Sequence, residues 1–149
     1  MIPLKLWYAR KQTAGDVADT EAELDAALDR VAALSSSDWP ALATVTPVGT
    51  RFGPVLYAGF HVHDGALLYS GSDDLDGSFT VGSGSTEGEP LLYMYMTSDN
   101  EFPPNSEIPV ELVRQAVHEF AATGRRPTCV SWQTWDRPDA TTESEYPEF

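Results

Sequence analysis

His61 and His63 stand two residues apart with Asp64 beside them, the nearest approach in the chain to a metal or acid–base cluster. Two histidines at that spacing on one strand face can chelate zinc, but a site needs a third ligand and a supporting shell. Asp64 is expected to be used in a turn, and His118 lies on the outer face of a predicted helix with no spacing that joins it to the pair. Surface or half-buried histidines are the expected reading, with a metal-dependent enzyme as the rival. Cys129 is flanked by β-formers and reads as a small packed side chain, because an activated thiolate needs a cationic or helix-terminal setting. Gly82-x-Gly84 runs into Ser85-Thr86-Glu87-Gly88 and not into an apolar helix, so a phosphate-cradling loop is poorly supported. Asp73-Asp74 could carry hydrolysis in some scaffold, yet nothing separates them from a solvated loop. No nucleophile, base and stabiliser come together, so no enzyme, catalytic residue, metal or cofactor is assigned.

Charge is the stronger signal. From Phe52 to Val113 there is no lysine or arginine, while ten carboxylates occur: Asp64, Asp73, Asp74, Asp76, Glu87, Glu89, Asp99, Glu101, Glu107 and Glu111. The formal charge of the whole chain is −14. Such a field repels nucleic acid and anionic lipid and attracts cationic surfaces. Without a basic stripe, Tyr93, Tyr95, Phe102, Trp132 and Trp135 read as core or protein-interface aromatics and not as base-stacking platforms. The plain alternative is a solvated acidic surface.

The elements that must position these groups follow from spacing. Leu4 to Ala9 alternates as a first strand. Thr20 with Glu23 has capping-box spacing, and Leu24, Leu28 and Val31 recur on one face of a helix that ends near Leu34. Leu42 to Thr46 is a strand ended by Pro47. Val55 to His63 is expected to pair with Ala66 to Ser70 across Asp64-Gly65, the dipeptide a tight hairpin favours. That register puts Leu56, Ala58, Phe60, Val62, Leu67 and Tyr69 on the core face. Residues 71–90 form a long Gly/Ser/Asp loop, unless a short strand lies around Phe79 to Val81. Leu91 to Met96, apolar on both faces, reads as a central strand, and a turn-rich stretch follows from Thr97 to Ile108. A second helix starts at Pro109 and buries Val110, Val113, Val117 and Phe120. It stops at Gly124, Arg125-Arg126 and Pro127. Thr128 to Trp135 is a last strand. The order β-α-β-β-β-β-α-β predicts an α+β fold with a mostly antiparallel sheet.

The chain has 149 residues, 42% of them hydrophobic, enough for one domain over residues 1–135 to bury a core. Residues 136–149 are expected to form an acidic, mobile tail. A single cysteine excludes an internal disulfide, and no apolar run reaches the ~20 residues of a membrane span. With no signal-like apolar stretch near Met1, a cytoplasmic protein is expected.

The stretch EFPPNSEIPVELVRQAVHEFAATGRRPTCVSWQ, Glu101 to Gln133, resembles the C-terminal signature of the bacterial polymorphic-toxin immunity proteins known as the immunity protein one family. The resemblance rests on Glu101-Phe102-Pro103, the polar turn at Asn105-Ser106, and the helix through Phe120. Gly124 to Pro127 and Trp132-Gln133 complete it. Upstream strand order and the hairpin agree in outline. The family's C-terminal tryptophan maps to Trp132, which strand alternation makes a core anchor before an interface residue.

What the resemblance implies is an α+β inhibitor encoded beside a secreted toxin, most often a nucleic-acid deaminase and foremost a DNA cytosine deaminase. It would bind that toxin domain one-to-one in the producing cell's cytoplasm and block its active site or substrate groove. A nuclease toxin is the alternative target; apart from the resemblance, a structural or adaptor domain that uses its acidic face for another basic protein is a further reading. The expected contact residues are Asp73, Asp74, Asp76, Glu87, Glu89, Asp99, Glu101, Phe102 and Trp135. Trp132, Phe120, Val117 and Gly124 are expected to be structural.

Overall fold

A computed structural model describes residues 1–136; the acidic tail expected over residues 136–149 lies, but for Asp136, outside the described residues. In chain order the elements are β1 (Leu4–Trp7), β2 (Asp16–Ala18), α1 (Glu21–Leu34), β3 (Ala41–Pro47), β4 (Val55–His61), β5 (Asp64–Gly71) and β6 (Asp74–Thr80). They continue with β7 (Leu91–Tyr95), β8 (Ser98–Phe102), β9 (Ile108–Pro109), α2 (Val110–Thr123) and β10 (Trp132–Gln133). The main sheet runs β10-β6-β5-β4-β3-β1-β2, with antiparallel pairing between each pair of neighbours along this path. The expected α+β class and mostly antiparallel sheet are therefore what the chain forms.

Local chemistry sets both helices. Thr20 Oγ1 accepts the Glu23 N–H at 3.1 Å, and the Glu23 carboxylate accepts the Asp19 N–H at 2.8 Å. The reciprocal cap satisfies N–H groups that the first turn cannot. Gly124 ends α2 at φ 69°, a left-handed conformation that a Cβ would penalise. Arg125 and Arg126 follow the helix, whose own last turn holds no basic residue. The two helices lie on one face of the sheet and are tied together by His118, 2.7 Å from Asp25, and by Arg114, 2.9 Å from Asp29. Beneath them Leu4, Leu6, Val45, Leu56, Phe60, Leu67 and Tyr69 meet Leu24, Leu28, Val31, Val113, Val117 and Phe120. Trp132 is half-buried at the margin of this core, edge-on to Tyr69, and its indole N–H donates to Pro127 O at 2.8 Å.

The central hairpin departs from expectation. His61 pairs with Asp64, so its two-residue turn is Val62-His63 and not Asp64-Gly65. Gly65 is needed in the strand instead. A Cβ there would run into the Gly59 carbonyl oxygen and lie 2.9 Å from Val113 Cγ2. The turn is displaced by an even number of residues, so Leu56, Ala58, Phe60, Leu67 and Tyr69 keep their inward face. Val62 does not: it sits in the turn at φ 61° and is 47% exposed. His63 is exposed in the same turn, so the two histidines do not share a strand face.

Two more corrections concern the middle of the chain. The supposed loop after Gly71 contains β6, so Asp74 and Asp76 ride on a strand. Leu91–Tyr95 is not central: it forms a ribbon with β8, which occupies the stretch read as turns, and joins β3 through one parallel bridge at Ala41 and Met94. The last strand is also shorter than expected, since only Trp132 and Gln133 pair, with Thr80 and Phe79.

Candidate functional site

The β7–β8 ribbon lies over the sheet face opposite the helices. Alternation turns Leu91, Tyr93 and Phe102 inward, onto Leu42, Ala66 and Phe79. The rings form a continuous row. Trp135 is 5.6 Å from Phe79, Phe79 is 5.3 Å from Phe102, Phe102 is 4.9 Å from Tyr93, and Tyr93 is 6.3 Å from His61. Tyr93 comes this close to the sheet because Gly59 has no side chain; a Cβ would lie 2.6 Å from its ring. Phe102, expected at the contact surface, is 1% exposed and packs inside this row. Trp135 remains half-buried at the open end of the row.

The acidic residues divide into two groups. Asp73 accepts the Tyr69 hydroxyl at 2.9 Å, and Asp74 accepts from Ser78 and from Arg126, whose Nη1 is 3.3 Å away. Burial, and then the Asp73 hydrogen bond and charge, push the Tyr69 phenol up to about 12. Arg125 and Arg126 line the same concavity as Asp73 and Asp74, and Arg126 stacks over Trp132 at 5.6 Å. The one-signed block of sequence is thus not one-signed in space at this end. Asp76, Glu87, Glu89 and Asp99 are exposed, and Glu101 is half-exposed. None of these five forms an ion pair among the described residues. Asp99 and Glu101 share the ribbon's outer face with Met94 and with Leu92, which is 46% exposed. Asp76 borders a shallow concavity with Trp135.

At the other end of the aromatic row is a cluster that spacing does not reveal. Glu107 Oε2 accepts the Tyr93 hydroxyl at 2.6 Å and meets His61 Nδ1 at 2.7 Å, while His61 Nε2 is 3.1 Å from Ser37 O. Both ring nitrogens face acceptors, so only the imidazolium satisfies both. Burial pulls the His61 pKa down, but the hydrogen bonds to Glu107 and Ser37 and the charges of Glu107 and Asp64 outweigh it, and the net shift is upward. Burial and then Glu107 raise the Tyr93 phenol far above its usual range. A histidine whose folded pKa is raised binds more protons folded than unfolded. Its contribution to stability is full below the ordinary value of 6.5 and is lost as pH rises through the higher folded value. Urea midpoints taken from about pH 6 to about pH 9 should therefore fall across that window. They should fall less in His61→Gln; equal slopes would remove the imidazolium assignment.

The remaining chemical candidates have structural roles. His118 bridges the helices. Cys129 is half-buried, and burial followed by the nearby Glu119 raises its thiol pKa, which disfavours thiolate. Gly82 donates its N–H to Asn105 O at 2.6 Å and lies against the Glu107 backbone, where a Cβ would come within 2.7 Å of the carbonyl carbon. Its glycine character serves close packing. Among the described residues no three His, Cys, Asp or Glu side chains gather as a metal site would require, and no helix is long and apolar enough to cross a membrane.

No curated protein matches the chain. The family model described as immunity protein Imm1 matches residues 13–134, which takes in both helices, the β7–β8 ribbon and Trp132. The chain belongs to the Imm1 family of immunity proteins, whose partner is a cognate toxin.

Proposed function

We propose that this protein neutralises a nucleic-acid-modifying toxin, foremost a DNA cytosine deaminase, by covering its substrate groove with the acidic surface opposite the helices. The observation that carries this reading is a set of five carboxylates that have no ion-pair partner among the described residues: Asp99 and Glu101 beside Leu92, Asp76 beside Trp135, and the exposed Glu87 and Glu89. A deaminase has to hold a polyanion, so its working face is cationic. Carboxylates set against that face compete with phosphates, and opposed charge speeds encounter. Leu92, Met94 and Trp135 supply the apolar contacts that charge alone does not. The complex is one-to-one, forms in the cytoplasm of the producing cell, and involves no catalysis by this chain. Asp73 and Asp74, held by Tyr69, Ser78 and Arg126, contribute less to the contact than the sequence suggests.

The test is co-expression with the toxin encoded beside this chain, together with stopped-flow association of the two purified domains. Growth rescue is expected, with an on-rate that falls about tenfold or more between low and high salt. Neutralising Asp76, Glu87, Glu89, Asp99 and Glu101 as Asn or Gln should slow association at low salt by a similar factor. An on-rate indifferent to both salt and these substitutions rules out the acidic surface. Protection against a neighbouring nuclease in place of a deaminase would keep the surface and change the target.

A further inference from the structure

The ribbon leaves one of its edges open. Met94 directs its N–H to Pro40 O at 2.7 Å, away from β8, so Met94 and Asp99 are a facing pair that exchanges no hydrogen bonds within the ribbon. By alternation Leu92 and Glu101 are another such pair, while Tyr93 and Asn100 are bonded. The N–H and C=O of Asp99 and Glu101 consequently point away from β7. Among the described residues β8 pairs with β7 alone, so these two donors and two acceptors have no strand partner. They are spaced about 7 Å apart, as another strand would need.

The side chains beside this edge restrict what can add to it. Pairing with a second copy about Asn100 would set Asp99 against Glu101, and like charges directly opposite are destabilising. A strand carrying Lys or Arg at alternate positions meets the opposite situation: its cations face Asp99 and Glu101, and its neighbouring apolar groups reach Leu92. The edge is therefore closed to itself and open to a basic strand. We propose that β8 receives an extended, basic segment of the toxin as an added strand, main-chain hydrogen bonds holding it and the two carboxylates choosing it. This deepens the functional reading above and rests on it.

Amide hydrogen exchange on the full chain, with the purified and catalytically inactivated toxin domain as probe, tests the proposal. In the free protein Asn100 should exchange slowly and Asp99 and Glu101 fast; in the complex all three should be slow. Glu101→Pro removes an outward N–H and no bond within the ribbon, and is expected to weaken binding about tenfold. Should that variant lower the urea midpoint, the pair Asp99→Lys with Glu101→Lys serves instead, with an expected loss of about a hundredfold. Binding by the wild-type chain with Asp99 and Glu101 still exchanging fast would overturn strand addition and leave the immunity reading intact. The same protection produced by dimers of this chain would make the occupant a second copy and overturn the toxin strand. Absence of wild-type binding would remove both readings together.

Discussion

Phe102→Ala is expected to cost about 4 kcal/mol of folding stability, the range for emptying a buried aromatic site. The side chain is 1% exposed and touches two further rings, with centroids at 5.3 and 4.9 Å. Its removal would open a void between ribbon and sheet that Ala66 and Leu42 are too short or too far constrained to fill. Phe102→Leu should cost much less, roughly 1.5 kcal/mol, since apolar volume is largely kept. Urea unfolding of the two variants is the measurement. A core residue also predicts that toxin affinity, measured where Phe102→Ala is still folded, stays near wild type. A large affinity loss with unchanged stability would return Phe102 to the contact surface.

Gly82→Ala carries the second large effect, about 3 kcal/mol, from forcing an atom into a packed backbone contact. The added Cβ would strike the peptide of Glu107, a main-chain group with no rotamer to give way. Either the segment from Pro103 to Glu107 moves or the strand end at Thr80 does, and Thr80 Oγ1 already binds Ser106 O at 2.8 Å and the Leu67 N–H at 3.0 Å. Moving Glu107 would also release His61 and Tyr93. Two readouts should shift together: the urea midpoint, and the His61 titration followed by NMR, which should return toward 6.5. Gly84→Ala is the comparison, because its Cβ would come no nearer than 3.2 Å to Pro104 O, a tight contact but not an overlap. Equal behaviour of the two variants would mean that the close approach at Gly82 is unimportant.

These residues also show where sequence patterns suffice and where they stop. The start of α1 was readable because Thr20 and Glu23 act within one turn, and Gly124 marked the end of α2 for an equally local reason. Gly65 misled because its glycine character answers to Val113 and Gly59, residues remote in sequence or across the strand pair. The segment Ser98–Phe102, reading SDNEF, lacks the β-branched residues that signal a strand; its conformation is imposed by pairing with β7. Asp74 and Asp76 rode on an unforeseen strand for the same reason, with DLDGSFT held by β5. Among the contact candidates, charge count identified acids but not their company. Arg126 reaches Asp74 from 52 residues away, and Glu107 reaches His61 across 46. No window along the chain contains either relation.

The displaced hairpin has a consequence for how such proteins change over time. Side chains along an extended strand point to opposite sides in turn, so adding or deleting residues in twos near Val62 preserves which groups are interior. A single inserted residue has to be taken up as a three-residue loop or a bulge, or it inverts the strand that absorbs it. The tip of this hairpin can therefore grow or shrink by pairs while the interior beneath it stays as it was.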